Sequence, residues 1–312
     1  MGWEQAIMPK TKRQKTATAS LLALVFAEIL WGVNKPVIKL GLKTVPLPLY
    51  LSVTILGAAL LVAPLAIKNW KPLRPKDYAL LVIASVISIT LGNVALLMGL
   101  QRVPAVNASL IGLFSPLILF IMSVEFLKER MSLKTFAGIL VAFVGAAIVV
   151  GSPWNAAGSS QSLVTGNLLV VLDVLCEIIA TLICKPILKR ASAYQVTFIY
   201  LLSGILPVMV FSLRYLPDLS PSHTGKNGYL AMFFNILAIT LANCLFMYGL
   251  KHKKAQEVGI FQYLSPIATI IAAWFILAEV PNGRIIIGAA FIFVGLYLAE
   301  AKAARRIRSR IG

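Results

Sequence analysis

Acidic residues are scarce: 11 Asp and Glu stand against 29 Lys and Arg, and charged residues of both signs make up only 13% of the chain. Soluble domains carry about 25%, so this sequence lacks the polar surface that a water-exposed fold requires. Histidine occurs twice, at His223 and His252, and cysteine three times, at Cys176, Cys184 and Cys244. These are too few and too dispersed for a disulfide framework or a zinc site, so no metal is expected. No Gly-rich phosphate loop of the Walker type is present, which leaves no cofactor to expect and argues against nucleotide hydrolysis. The sequence shows no nucleophile–base pair of the kind that an intramembrane enzyme would need.

What fills the chain instead is apolar residues, at 59%. This marks an integral membrane protein. A formal net charge of +18 would point to nucleic acid in a soluble chain, but here the basic residues sit in short clusters between apolar runs, where they set orientation and meet lipid headgroups. The run after Lys10, Lys12, Arg13 and Lys15 superficially resembles a signal peptide, yet it is long, contains Glu28 and Asn34, and has no small-residue cleavage pattern after it. It reads as a first span. A hydrocarbon core about 30 Å thick needs about 20 helical residues. By that measure ten segments qualify, at 18–38, 46–67, 77–99, 104–125, 133–151, 165–184, 194–214, 228–249, 256–278 and 285–302. Their length excludes barrel strands, so the expected fold is an all-α membrane protein.

The chain is also written twice. A shift of 150 residues lays Thr90-Leu91, Asn93, Gly99-Leu100, Ser115-Pro116, Glu129, Gly138 and Phe143-Val144-Gly145 on Thr240-Leu241, Asn243, Gly249-Leu250, Ser265-Pro266, Glu279, Gly288 and Phe293-Val294-Gly295. The same shift lays Lys35-Pro36, Lys39 and Tyr50 on Lys185-Pro186, Lys189 and Tyr200. The expected organisation is a cytoplasmic segment 1–18, a first repeat 19–151, an external linker 152–164, a second repeat 165–302 and a basic tail 303–312. With both termini cytoplasmic, the outer side keeps only Lys35, Lys39, Lys43, Arg102, Arg214, Lys226 and Arg284 of the 29 basic residues, as the positive-inside rule asks. Five spans per repeat make the second copy enter the membrane inverted. That symmetry suits a transporter, because two halves that exchange conformations open a central site to either side.

Ten spans in two five-span halves, with Ser-Pro in each fourth span, a Glu shortly after it, then Gly and Phe-Val-Gly, resemble the EamA family of the drug/metabolite transporter superfamily. The first copy, Ser115-Pro116 to Leu127-Lys128-Glu129-Arg130 and then Gly138, is close to the family pattern; the second, Ala278-Glu279-Val280-Pro281, lacks the Arg. The resemblance implies a secondary carrier of small metabolites in the cell membrane, coupled to protons or not, without enzymatic activity.

An ionisable group deep in a span faces a cavity or a partner. Glu28, Asp173 and Glu177 meet that condition, and Asp173 and Glu177, four apart, share a helix face. They are candidates to bind an amine or take up a proton; bonding to a neighbouring helix is the competing role. Asn34, Asn93, Asn243 and Gln262 are polar candidates for substrate contact or for interhelical bonds. Trp31 and Tyr263, with Phe261, are candidates for a pocket wall or for plain packing. Pro116 and Pro266 break the helical ladder at matched places and suit kinks or gates. Lys35 and Lys185, near span ends, are expected to snorkel. Glu129 and Glu279 read as helix-end or salt-bridge positions beside Arg130 and Arg284, and Gly138-Ala142-Ala146 as a packing ridge. The function expected is export of an amino acid or amine by alternating access, with a small-molecule substrate, no nucleic acid, and a monomer or homodimer. The alternatives are a nucleotide-sugar or phosphorylated-sugar exchanger, for which Lys35 and Lys185 would line the cavity, and an intramembrane enzyme.

Overall fold

A computed structural model describes residues 10–298 apart from 104–107, 109–110, 113, 130–131, 151–159, 220, 278–286 and 289. Among the described residues the chain is helical, without strands. The helices are α1 (Lys10–Gly41), α2 (Leu47–Lys68), α3 (Pro75–Leu100), α4 (Ser115–Leu127), α5 (Leu133–Val150), α6 (Ser160–Ile187), α7 (Ala193–Asp218) and α8 (Pro221–His252). Then comes α9, made of Ala255–Gly259, a 3-10 turn Ile260–Tyr263 and Leu264–Leu277, followed by the helical residues 287–288 and 290–298, here α10.

Seven of the described helices, α1 to α3 and α6 to α9, are long and apolar enough to cross a membrane; Ser115–Leu127 and Leu133–Gly145 are apolar but shorter. Large apolar side chains such as Phe26, Leu60, Phe126, Phe211 and Phe275 stand exposed on the outside of the bundle, the arrangement expected where the surroundings are lipid tails rather than water. The expected boundaries fall within a few residues of most of these helices. The segment 1–9, most of the linker, the tail, Arg130, Glu279 and Arg284 lie outside the described residues.

Packing follows a definite set of pairs: α1 with α8 and α9, α6 with α3 and α4, α2 with α7 and α8, α3 with α7, and α4 with α9. Close approach depends on small residues. A Cβ on Gly204 of α7 would lie 2.7 Å from the Ser85 carbonyl oxygen and 2.5 Å from the Ile89 Cβ of α3. Backbones at that spacing let hydroxyls reach across: Ser85 donates to the Tyr200 carbonyl, and Thr90 to that of Gly204 at 2.5 Å. Interhelical hydrogen bonds of this kind hold membrane bundles where no hydrophobic drive exists between helix and lipid.

Besides the 3-10 end of α7 at Leu213–Asp218 and the kink at Gly225 in α8, two departures from regular helix lie inside spans near the acids and the prolines. Val86–Gly92 of α3 is π-helical, a widening common at functional sites, and it brings Gly92 against Asp173. In α9 the 3-10 turn precedes Pro266, whose missing amide leaves the Gln262 carbonyl without its usual donor. Pro116, by contrast, is the second residue of α4, where a proline is readily accommodated.

Candidate functional site

The central acids come from two helices, Glu28 from α1 and Asp173 and Glu177 from α6. Glu28 sits midway along α1, and its side chain is 2% exposed, with Oε1 lacking a hydrogen-bond partner among the described residues. Asp173, 8% exposed, and Glu177 occupy one face of α6. Glu28 lies in electrostatic reach of Glu177, and Glu177 of Asp173. Glu177 is exposed, unlike Glu28 and Asp173, and it lines a small cavity.

That cavity has a volume of about 20 Å³ and is lined by Trp31, Glu177, Ala180, Thr181, Tyr200, Asn243, Phe246 and Met247. A water needs roughly 10–15 Å³ in this measure, so the space holds one or two waters rather than an organic substrate. The Trp31 and Phe246 rings, 5.1 Å apart and inclined at 55°, close one wall, and Tyr200 of α7 contributes another. A carboxylate beside aromatic faces favours a cation, through charge attraction and the quadrupole of the rings.

Of the residues singled out in the sequence, Trp31, Glu177 and Asn243 line the cavity, with Glu28 and Asp173 beside them. Asn243 also donates to the Ile239 carbonyl of its own helix at 2.9 Å. Asn34 donates to Asn235 Oδ1 at 2.5 Å, an interhelical link between α1 and α8. Asn93 donates to the Ser88 carbonyl at 3.4 Å, within α3. Gln262 accepts from Ser115 at 3.0 Å, joining α9 to the start of α4, and Tyr263 is fully buried with its hydroxyl unpartnered. Neither lines the cavity, nor does Phe261, which belongs to the core.

Thr181, Tyr200, Phe246 and Met247 were not anticipated. Tyr200 carried a signal, its register match to Tyr50; the others are indistinguishable from packing residues in a chain this apolar. The lysines have partners that the sequence did not indicate. The Lys185 ammonium donates to the Leu250 and Lys253 carbonyls at the end of α8, where terminal carbonyls lack intrahelical donors. Lys35 lies in electrostatic reach of Glu28, Asp173 and Glu177. Glu129 is a helix-end residue in a sense the sequence hid: its carboxylate accepts from the Ala255 and Gln256 amides at 2.9 and 3.3 Å and from the Gln256 side chain at 3.2 Å, capping α9 from the far end of α4. No group of three or more His, Cys, Asp or Glu able to hold a metal occurs among the described residues.

A bundle of apolar helices with buried acids beside a small cavity of mixed lining defines a polytopic membrane protein of the transporter class. The chain belongs to the EamA-like transporter family, whose model matches it twice, over residues 18–151 and 164–300. It is similar to the uncharacterized transporter YetK of Bacillus subtilis, 26% identical with 93% of this chain and 88% of that protein covered. It is also similar to a probable terminal-alkyne amino-acid exporter of Streptantibioticus cattleyicolor, 25% identical with coverages of 92% and 95%. A solved structure described only as the crystal structure of a protein shares the fold, with a TM-score of 0.74 at 17% identity over 93% of this chain and 98% of its own.

Proposed function

We propose that this transporter is a secondary carrier that exports a small amine or amino acid from the cell by alternating access, through ten spans arranged as two inverted five-helix repeats with both termini cytoplasmic. The observation that carries the substrate class is Glu177 in the aromatic cavity, with Glu28 and Asp173 close behind it. A substrate ammonium would pair with this carboxylate, and a proton would occupy the same group when the substrate leaves. The phosphorylated-sugar alternative is less well supported, since no lysine lines the cavity.

The two-repeat reading draws support from the packing. Adding or subtracting five in each helix label turns α1–α8 into α6–α3, α1–α9 into α6–α4, and α3–α7 into α8–α2, while α2–α7 and α4–α9 return to themselves. The double family match, with its break between 151 and 164, supports the same division. The amino-acid exporter among the relatives supports the substrate class and the direction.

Export is tested by substrate uptake into inverted membrane vesicles against a panel of primary amines and amino acids. Glu28→Gln and Glu177→Gln are expected to lose at least ten-fold in rate while folding normally by size-exclusion profile. Wild-type rate and pH response in both variants would end the carboxylate reading.

A further inference from the structure

Resting on the alternating-access reading, we propose that Lys35 and Lys185 are duplicated gate residues, each tying its helix to the C-terminal carbonyls of a partner helix while its own side of the protein is closed, with only one tied at a time. The two lysines correspond under the 150-residue shift, and each precedes a proline, Pro36 in α1 and Pro186 in α6. The structure nevertheless puts them to different uses.

Lys185 binds the Leu250 and Lys253 carbonyls, joining the end of α6 to the end of α8. A helix C-terminus presents unpaired carbonyls and the negative pole of the macrodipole, so it receives an ammonium well. The same shift carried back from Leu250 and Lys253 gives Leu100 and Val103, at the end of α3. This second cradle is built like the first: the Val103 amide closes its turn on the Gly99 carbonyl at 2.9 Å, as the Lys253 amide does on Gly249 at 2.9 Å. Lys35 is the residue that should fill it, yet it lies in electrostatic reach of Glu28, Asp173 and Glu177 instead. One cradle holds its lysine; in the proposal the other lysine faces the central acids in this state.

The duplicated sequence therefore encodes two equivalent latches, of which one is engaged. Opening the α6 end releases Lys185 from two carbonyls, and engaging Lys35 on Leu100 and Val103 makes two bonds of the same kind. End states that exchange like for like remain close in free energy, which a carrier needs if it is to populate both. Releasing Lys35 from the acids in the same movement also frees them for a substrate cation.

The test uses the full chain in liposomes, with Cys176, Cys184 and Cys244 replaced by Ser and Met247→Cys on the cavity wall as reporter, labelled by a membrane-impermeant maleimide added to either face. Lys185→Met should raise labelling from the face where α6 ends by several-fold. Lys35→Met should lower labelling from that face and raise it from the other. Substitution by Gln, gentler on folding, should shift labelling in the same directions, and Lys185→Arg should stay at the parent rate. If the parent is labelled from both faces and the two lysine variants move together or not at all, the latch proposal fails while the carrier reading stands. If the reporter is labelled from one face only in the parent and in every variant, alternating access itself fails and the latch with it.

Discussion

Asn34 and Asn235 show what a single residue contributes in this setting. Both are buried, at 4% and 2% exposure, and their amides meet between α1 and α8 at 2.5 Å. Hydrogen bonds between membrane helices contribute about 0.6 kcal/mol on average, but leaving a buried amide unpaired costs about 1–3 kcal/mol. Asn34→Leu is therefore expected to lower the unfolding temperature in detergent by an amount equivalent to about 1 kcal/mol, and Asn34→Leu/Asn235→Leu to recover part of it. The sequence flagged Asn34 as either a substrate contact or an interhelical bond, and the structure provides the partner for the second. Asn235 carried no such signal, since a lone Asn among apolar residues does not announce which helix it will meet.

At the scale of elements, the decisive contact is between α5 and α10. A Cβ on Gly145 would lie 2.6 Å from the Gly288 carbonyl oxygen, and one on Gly295 would lie 2.5 Å from that of Gly138. The register of the duplication, Gly138 on Gly288 and Gly145 on Gly295, is thus repeated as a reciprocal contact, as the proposed two-fold relation between halves would require. Because the opposing atoms are backbone, a methyl group cannot be absorbed by a side-chain rotation. Gly295→Ala should separate the helices and reduce the yield of monodisperse protein and its unfolding temperature. Gly112→Ala, with nothing within 4 Å of its Cβ position, should be neutral in the same measurement. The ridge around Gly138 and Ala142 was readable as a packing surface from its spacing, while its partner was not, because small residues at helical spacing specify closeness without an address.

The whole molecule is held at one end by links between distant segments. Glu129 caps α9, Asp77 pairs with Arg190 at 2.6 Å, and the Gln195 side chain bonds both the amide and the carbonyl of Lys71. A carboxylate at a helix N-terminus contributes about 0.3–1 kcal/mol, enough to bias two states that lie close together. Glu129→Ala should accordingly raise maleimide labelling of the Met247→Cys reporter from that face, with a smaller effect on unfolding temperature than Asn34→Leu. Composition, run length and the 150-residue repetition by themselves determined the helical membrane class, the approximate helices and the family resemblance, and they singled out Glu28, Asp173 and Glu177 as candidates. Apolar length and charge cost are local properties of a chain in lipid, so sequence carries them openly. Only the tertiary structure decided that Glu177 faces a cavity with Tyr200 and Phe246, that Gln262 and Tyr263 stand outside it, and that the paired lysines Lys35 and Lys185 have unlike partners. Which face of an almost uniformly apolar helix turns inward depends on the shape of its neighbours, and two residues matched by the repeat need not do the same thing in different surroundings.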